Sequence, residues 1–199
     1  MFASAIDIAV KYWPMFWAGI KTTLLLSITG TVIGLLIGLV VGSVRSVCSK
    51  SESRDSGVAK AVKKIVYFIT CVYVEFFRGT PMMVQAVFLY YGLKPVFNWD
   101  TTVAGICIIS INTGAYMAEI LRSGLQSVDV GQTEAARSIG MTPAQTMFHV
   151  VLPQGVKNAF PAIGNEFVVN IKDSSVLNAI SVTELFFPVS YTHLTLPTT

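Results

Sequence analysis

The sequence predicts an all-α, polytopic transmembrane helical bundle, and three observations carry that expectation. Of the 199 residues, 53% are hydrophobic and 13% are charged, a balance too apolar for a soluble domain of this length. The apolar residues are gathered into long stretches, the first almost wholly apolar from Gly19 to Val44. The basic residues collect between those stretches, with Arg45, Lys50, Arg54, Lys60, Lys63 and Lys64 in one linker against Glu52 and Asp55. Charge placed this way carries topology and is not the footprint of nucleic-acid binding.

The first stretch, Gly19 to Val44, is long enough to cross a bilayer with some tilt. It is too long for the apolar region of a signal peptide, and no small-residue cleavage site follows it. Gly30, Gly34, Gly38 and Gly42 recur along it at four-residue spacing and share one helix face, where another backbone can approach closely. That face serves either packing against another span of the same chain, which is favoured, or a seam between subunits. Lipid covers the remaining faces.

Ile65 to Leu93 is apolar but broken by Glu75, Arg78, Gly79 and Pro81. It is too long for one simple span and too short for two, which predicts one interrupted or obliquely entering helix. Glu75 and Arg78 lie three apart on that helix and are expected to pair with each other. Thr101 to Ile120 is the third span, and Gly155 to about Lys172 the fourth, polar at both ends. Cys48, Cys71 and Cys107 have no metal-ligand or CxxC spacing and read as inert thiols, so no metal site is expected.

The positive-inside rule sets the orientation. The basic linker from Arg45 to Lys64 should be cytoplasmic, which puts the N-terminus and the loop near Lys94 outside, and Arg122 to Lys157 inside.

That last segment has a legible local grammar. Ser127 or Asp129 can cap a helix over Gln132 to Ser138, and Gly140 follows where a left-handed residue belongs. Thr142-Pro143-Ala144-Gln145 restarts a helix, with Thr142 as N-cap, Pro143 in the first helical position and Gln145 reaching back. Pro153 is expected to end it. The result is helix, glycine turn, helix, in a polar projection outside the bilayer.

Ionisable and amide groups inside apolar stretches are costly and usually functional. Asn112, Tyr116 and Glu119 share one face of the third span, and Glu166, Asn170 and Asp173 repeat the same spacing on the fourth. These six are candidates for a polar pathway. For Glu119 and Glu166 a second reading stands beside it: both lie near the cytoplasmic ends, where water or a basic residue can satisfy them.

Glu134-Ala135-Ala136, three residues, Gly140, nine residues, then Val150-Val151-Leu152-Pro153, resembles the cytoplasmic coupling loop of bacterial ABC-importer membrane subunits, with Val150 where isoleucine is usual. Three further blocks resemble polar amino-acid permeases of the histidine/glutamine/arginine group. They are Glu75-Phe76-Phe77-Arg78-Gly79-Thr80-Pro81 with Gln85, Asn112 to Glu119, and Gly164-Asn165-Glu166-Phe167 followed by Ile171 to Ser175.

The resemblance implies an ABC-importer permease fold with five spans, over residues 1–187, and a coupling loop at about 122–153. It implies that Glu134, Ala135, Ala136 and Gly140 meet the ATPase while Leu152 and Pro153 fix the return into the membrane. The implied partners are a cytoplasmic ABC ATPase dimer, a second permease subunit forming a homo- or heterodimer, an extracytoplasmic solute-binding protein and membrane lipid. The implied location is a bacterial cell membrane. Four spans are expected here, the fifth is missing, and residues 188–199 read as a truncated or non-native tail.

No cofactor is expected, since the sequence has no GxxxxGK[ST] phosphate loop and ATP would be bound by the partner. An ion-coupled secondary transporter or channel is the alternative, although it has no use for the long coupling pattern. A membrane hydrolase is excluded by its chemistry: the histidines are His149 and His193, and no HExxH or GxSxG pattern occurs.

Overall fold

The computed structural model describes residues 2–49 and 57–195, whose regular structure is helical with no strand among them. In chain order the helices are α1 (Phe2–Lys11), α2 (Trp13–Ser49), α3 (Gly57–Gly79), α4 (Met82–Phe97), α5 (Thr101–Gln126), α6 (Val130–Ser138) and α7 (Pro143–Thr146). A π-helical turn (Met147–Val151), α8 (Leu152–Asp173), a 3-10 helix (Ser174–Ile180) and α9 (Phe186–Thr195) complete the order. Lys50, Glu52, Arg54 and Asp55 of the basic linker, and Leu196 to Thr199 of the tail, lie outside the described residues.

Among the described residues, Trp13–Arg45 and Thr101–Gln126 are long and apolar enough to cross a membrane by length and composition, and Met82–Phe97 is a shorter apolar helix. The 37 residues of α2 extend to about 55 Å at the α-helical rise, longer than a hydrocarbon core. Its outer face is apolar and open. Ile28, Val32, Leu36 and Val40 are 51%, 54%, 58% and 63% exposed, two residues out of phase with the glycines. An open apolar face of this kind suits lipid or another apolar protein surface.

The expectation for Ile65 to Leu93 is corrected. The chain forms two helices, α3 and α4, separated at Thr80 and Pro81. Pro81 adopts φ −64° and ψ 133°, an extended conformation that ends the first helix and starts the second. The missing length comes from the polar side, since α3 begins at Gly57, within the linker.

The chain divides into two compact units. The first comprises Met1–Val32, Thr80–Ser110 and Phe167–Thr199. Its core joins Leu26 of α2, Ala86 and Tyr90 of α4, Ala104 and Ile108 of α5, and Leu177, Ile180 and Val182 of the segment after α8. The N-terminal turn of α5 is capped by Asp100, whose carboxylate accepts from Thr102 N–H at 2.9 Å. That donation holds Asp100 below the usual carboxylate range. Gln85 Nε2 donates to the Thr80 carbonyl at 2.9 Å, supplying a partner at the helix break. Tyr191 of α9 meets Tyr12 edge-on with ring centroids 6.2 Å apart.

The second unit comprises Ile33–Gly79 and Ile111–Glu166. Here α2 lies on α5 through its glycines: a Cβ on Gly34 would stand 2.6 Å from Thr113 Cγ2, and one on Gly38 2.5 Å from Met117 Cβ. Gly30 makes the same kind of contact with Ile109 in the first unit, at 2.6 Å. The glycine face therefore serves intramolecular packing, as the favoured reading held. A second close approach, not expected from the sequence, joins α5 to α8. A Cβ on Gly124 would lie 2.5 Å from the Gly155 carbonyl oxygen.

Candidate functional site

The polar segment between α5 and α8 is built from local signals, all within the second unit. Asp129 caps α6, its carboxylate accepting from Gly131 N–H at 2.6 Å. The helix ends in a left-handed turn at Gly140, with φ +87°. Gly140 N–H bonds to the Arg137 carbonyl at 3.0 Å and Met141 N–H to the Ala136 carbonyl at 3.1 Å, the paired bonds of a Schellman motif. Nothing lies within 4 Å of where a Gly140 Cβ would be, so glycine is required there by backbone conformation alone.

The next helix opens on a complete capping box. Thr142 N–H donates to Gln145 Oε1 at 2.9 Å, Gln145 N–H donates to Thr142 Oγ1 at 3.3 Å, and Pro143 fills the first helical position. The expectation that Pro153 ends this helix is corrected. Residues 143–173 are helical throughout, and Leu152 N–H reaches the Met147 carbonyl across the π-helical turn. A widened turn absorbs the proline, which has no N–H to offer, so the chain passes into α8 without stopping. Leu152 and Pro153 thus stand at the start of α8.

Four of the six coupling candidates divide by exposure. Glu134, Ala135 and Gly140 are exposed, whereas Ala136 is 5% exposed and packs inward. The outward face gains Ile139, 78% exposed beside the glycine turn. The signal in the sequence for it is the apolar pair that flanks Gly140, Ile139 and Met141. Two bonds hold the segment to the spans: Gln154 Nε2 to Gln132 Oε1 at 3.4 Å and Asn158 Nδ2 to Ser127 Oγ at 2.9 Å.

The pathway candidates on α5 lie in the second unit. Asn112 is 6% exposed, and its Nδ2 donates to the Phe77 carbonyl at 3.3 Å. Tyr116 lies under Arg78, whose guanidinium carbon is 5.7 Å from the ring centroid. No Glu75–Arg78 ion pair occurs among the described residues, correcting that expectation. Glu119 accepts from Arg122 Nε at 2.9 Å, pairs with a second Arg122 nitrogen, and lies 3.4 Å from Arg45 Nη1. It is thus satisfied by basic residues, the second of the two readings weighed for it.

On α8, Glu166 of the second unit is 6% exposed. In the first unit Asn170 is 1% exposed and donates to Thr31 Oγ1 at 2.9 Å, and Asp173 is half-buried at the helix end.

Comparisons with known proteins agree with this arrangement. The family described as binding-protein-dependent transport system inner membrane component matches residues 56–194. The L-cystine transport system permease protein TcyB of Bacillus subtilis (strain 168) is 36% identical over 178 residues, covering 88% of this chain and 70% of TcyB. The probable amino-acid permease protein YxeN of the same organism is 40% identical over 126 residues, covering 61% of this chain and 56% of YxeN. The chain therefore spans little more than half the length of YxeN. A crystal structure of an amino acid ABC transporter with histidines superposes with a TM-score of 0.81 at 37% identity, covering 94% of this chain and 81% of that one. With the all-helical fold, the open apolar face of α2 and the matched residues together, the chain belongs to the family of binding-protein-dependent transport system inner membrane components.

Proposed function

We propose that this chain is the membrane-spanning permease subunit of an ATP-binding-cassette importer, moving a polar amino acid inward across a bacterial cell membrane. The observation that carries this reading is the segment from Asp129 to Leu152. Its cap, Schellman turn and capping box make a short rigid projection anchored to α5 and α8. A projection of that kind transmits a push, and Glu134, Ala135, Ile139 and Gly140 form its outward surface. Glu134 offers a charged contact, Ala135 permits close approach, and Gly140 sets the turn.

The work comes from a separate cytoplasmic ATPase dimer, since the sequence has no GxxxxGK[ST] phosphate loop. A loaded extracytoplasmic binding protein docks on the opposite face, and a second permease subunit, identical or related, completes the pore. ATP-driven closure of the ATPase moves the projection, and the spans rock between outward and inward opening, a two-state change biased by both partners. Asn112, Tyr116, Glu166, Asn170 and Asp173 are the polar groups offered to the solute. The N-terminus lies outside and the projection inside, as the basic linker directs.

Reconstitution of the chain with an ATPase and a binding protein tests this. Uptake of labelled histidine, glutamine or cystine should require ATP and the binding protein and be indifferent to a proton uncoupler. Uptake driven by a proton gradient without the ATPase would establish the ion-coupled alternative instead.

A further inference from the structure

The second unit contains a cavity of about 610 Å³ whose lining includes none of Asn112, Tyr116, Glu166, Asn170 or Asp173. Its walls come from the C-terminal halves of α2 and α5, Tyr67 of α3, and the π-helical turn with the start of α8. Leu39, Leu121, Leu125 and Val156 make most of the wall apolar, and Arg45, Arg122 and Tyr67 are its charged and phenolic members. The volume falls within the roughly 300–1,000 Å³ of small-molecule sites.

The electrostatics choose the occupant. Two guanidiniums line the cavity, Arg45 and Arg122, and both share one carboxylate, Glu119. One positive charge is left over beside an apolar hollow, and Arg45 is further held over the Tyr67 ring at 5.9 Å. A soluble amino acid would leave most of this wall without polar partners. A phospholipid with an anionic headgroup satisfies both parts, its phosphate against the guanidiniums and an acyl chain in the hollow. Leu39, which lines the cavity, is 40% exposed and neighbours Leu36 and Val40 of the apolar outer face of α2.

We propose that this cavity binds one anionic phospholipid at the end of the bundle that carries the projection. Phe148 and Val151, of the turn that joins the projection to α8, share its wall, so the lipid props that junction. This proposal stands apart from the solute pathway and does not depend on which amino acid is carried.

Native mass spectrometry of the full chain released from mixed micelles tests it, with dioleoyl-phosphatidylglycerol and dioleoyl-phosphatidylcholine as the probes. Phosphatidylglycerol should be retained one per chain, and each of Arg45→Gln and Arg122→Gln should weaken its retention about fivefold. Leu39→Trp, from a partly exposed position that keeps the charges, should fill the cavity and abolish retention. Equal retention of the two lipids, or retention unchanged by Leu39→Trp, would overturn the proposal. Displacement of phosphatidylglycerol by free glutamine or histidine would also overturn it, placing the cavity on the solute path.

Discussion

The side-chain amide of Asn112 donates to the main-chain carbonyl of Phe77 at 3.3 Å, joining α5 to the end of α3. The N–H that would close the next helical turn on Phe77 belongs to residue 81, which is proline and has none. Asn112 supplies that carbonyl with a donor from another helix. Asn112 thus carries a structural duty beside any contact with solute.

Asn112→Ala should therefore lower stability by about 0.5–1.5 kcal/mol, the net contribution of one hydrogen bond. The thermal midpoint of the purified chain in detergent measures it. An unchanged midpoint would mean that this bond contributes nothing to stability.

The glycine face of α2 separates close packing from mere proximity. Gly38→Ala forces a Cβ to 2.5 Å from Met117 and 2.8 Å from the Ala118 nitrogen, with backbone that cannot retreat. Overpacking of this sort costs about 1–3 kcal/mol. Gly42→Ala meets nothing nearer than 3.6 Å and gains helix propensity, so it should be neutral or stabilising by up to about 1 kcal/mol. Paired thermal melts of the two variants give the comparison.

Orientation is tested at Cys48, at the far end of α2 and partly accessible. With Cys71 and Cys107 replaced by alanine, an impermeant thiol reagent should leave Cys48 unlabelled in intact cells and label it after permeabilisation. Labelling in intact cells would invert the topology.

Much of this was legible because local chemistry decides it. Asp129, Gly140, Thr142 and Gln145 act on their own backbone neighbours, and each takes the role that its residue type and spacing announce. Proline was harder to read. Pro81 separates two helices where one was expected, since an apolar run cannot show that α3 starts early in the polar linker. Pro153 ends nothing, because a π-helical turn makes room for it, and that turn has no signature in single residues. The burial of Ala136 and the contact of Gly124 with Gly155 depend on which faces meet in three dimensions. The pairing of Glu119 with Arg45, 74 residues earlier in the chain, was foreseen only as a generic basic partner.

The central claim is that the Asp129–Leu152 projection receives the work of an ATPase, and Gly140 tests it most directly. With φ +87° and open space around its missing side chain, Gly140→Val strains the turn by about 1–2 kcal/mol without a packing clash, so the effect stays in the projection. Gly140→Asn, a residue that tolerates the left-handed region, is the matched control. The measurement is the rate of ATP-dependent amino-acid uptake at equal membrane level, with co-purification of the ATPase recorded alongside. Gly140→Val should lose at least most of the uptake and weaken ATPase recovery, with Gly140→Asn near the parent in both. Full uptake and full ATPase recovery in the Gly140→Val chain would contradict the claim and move the coupling surface elsewhere.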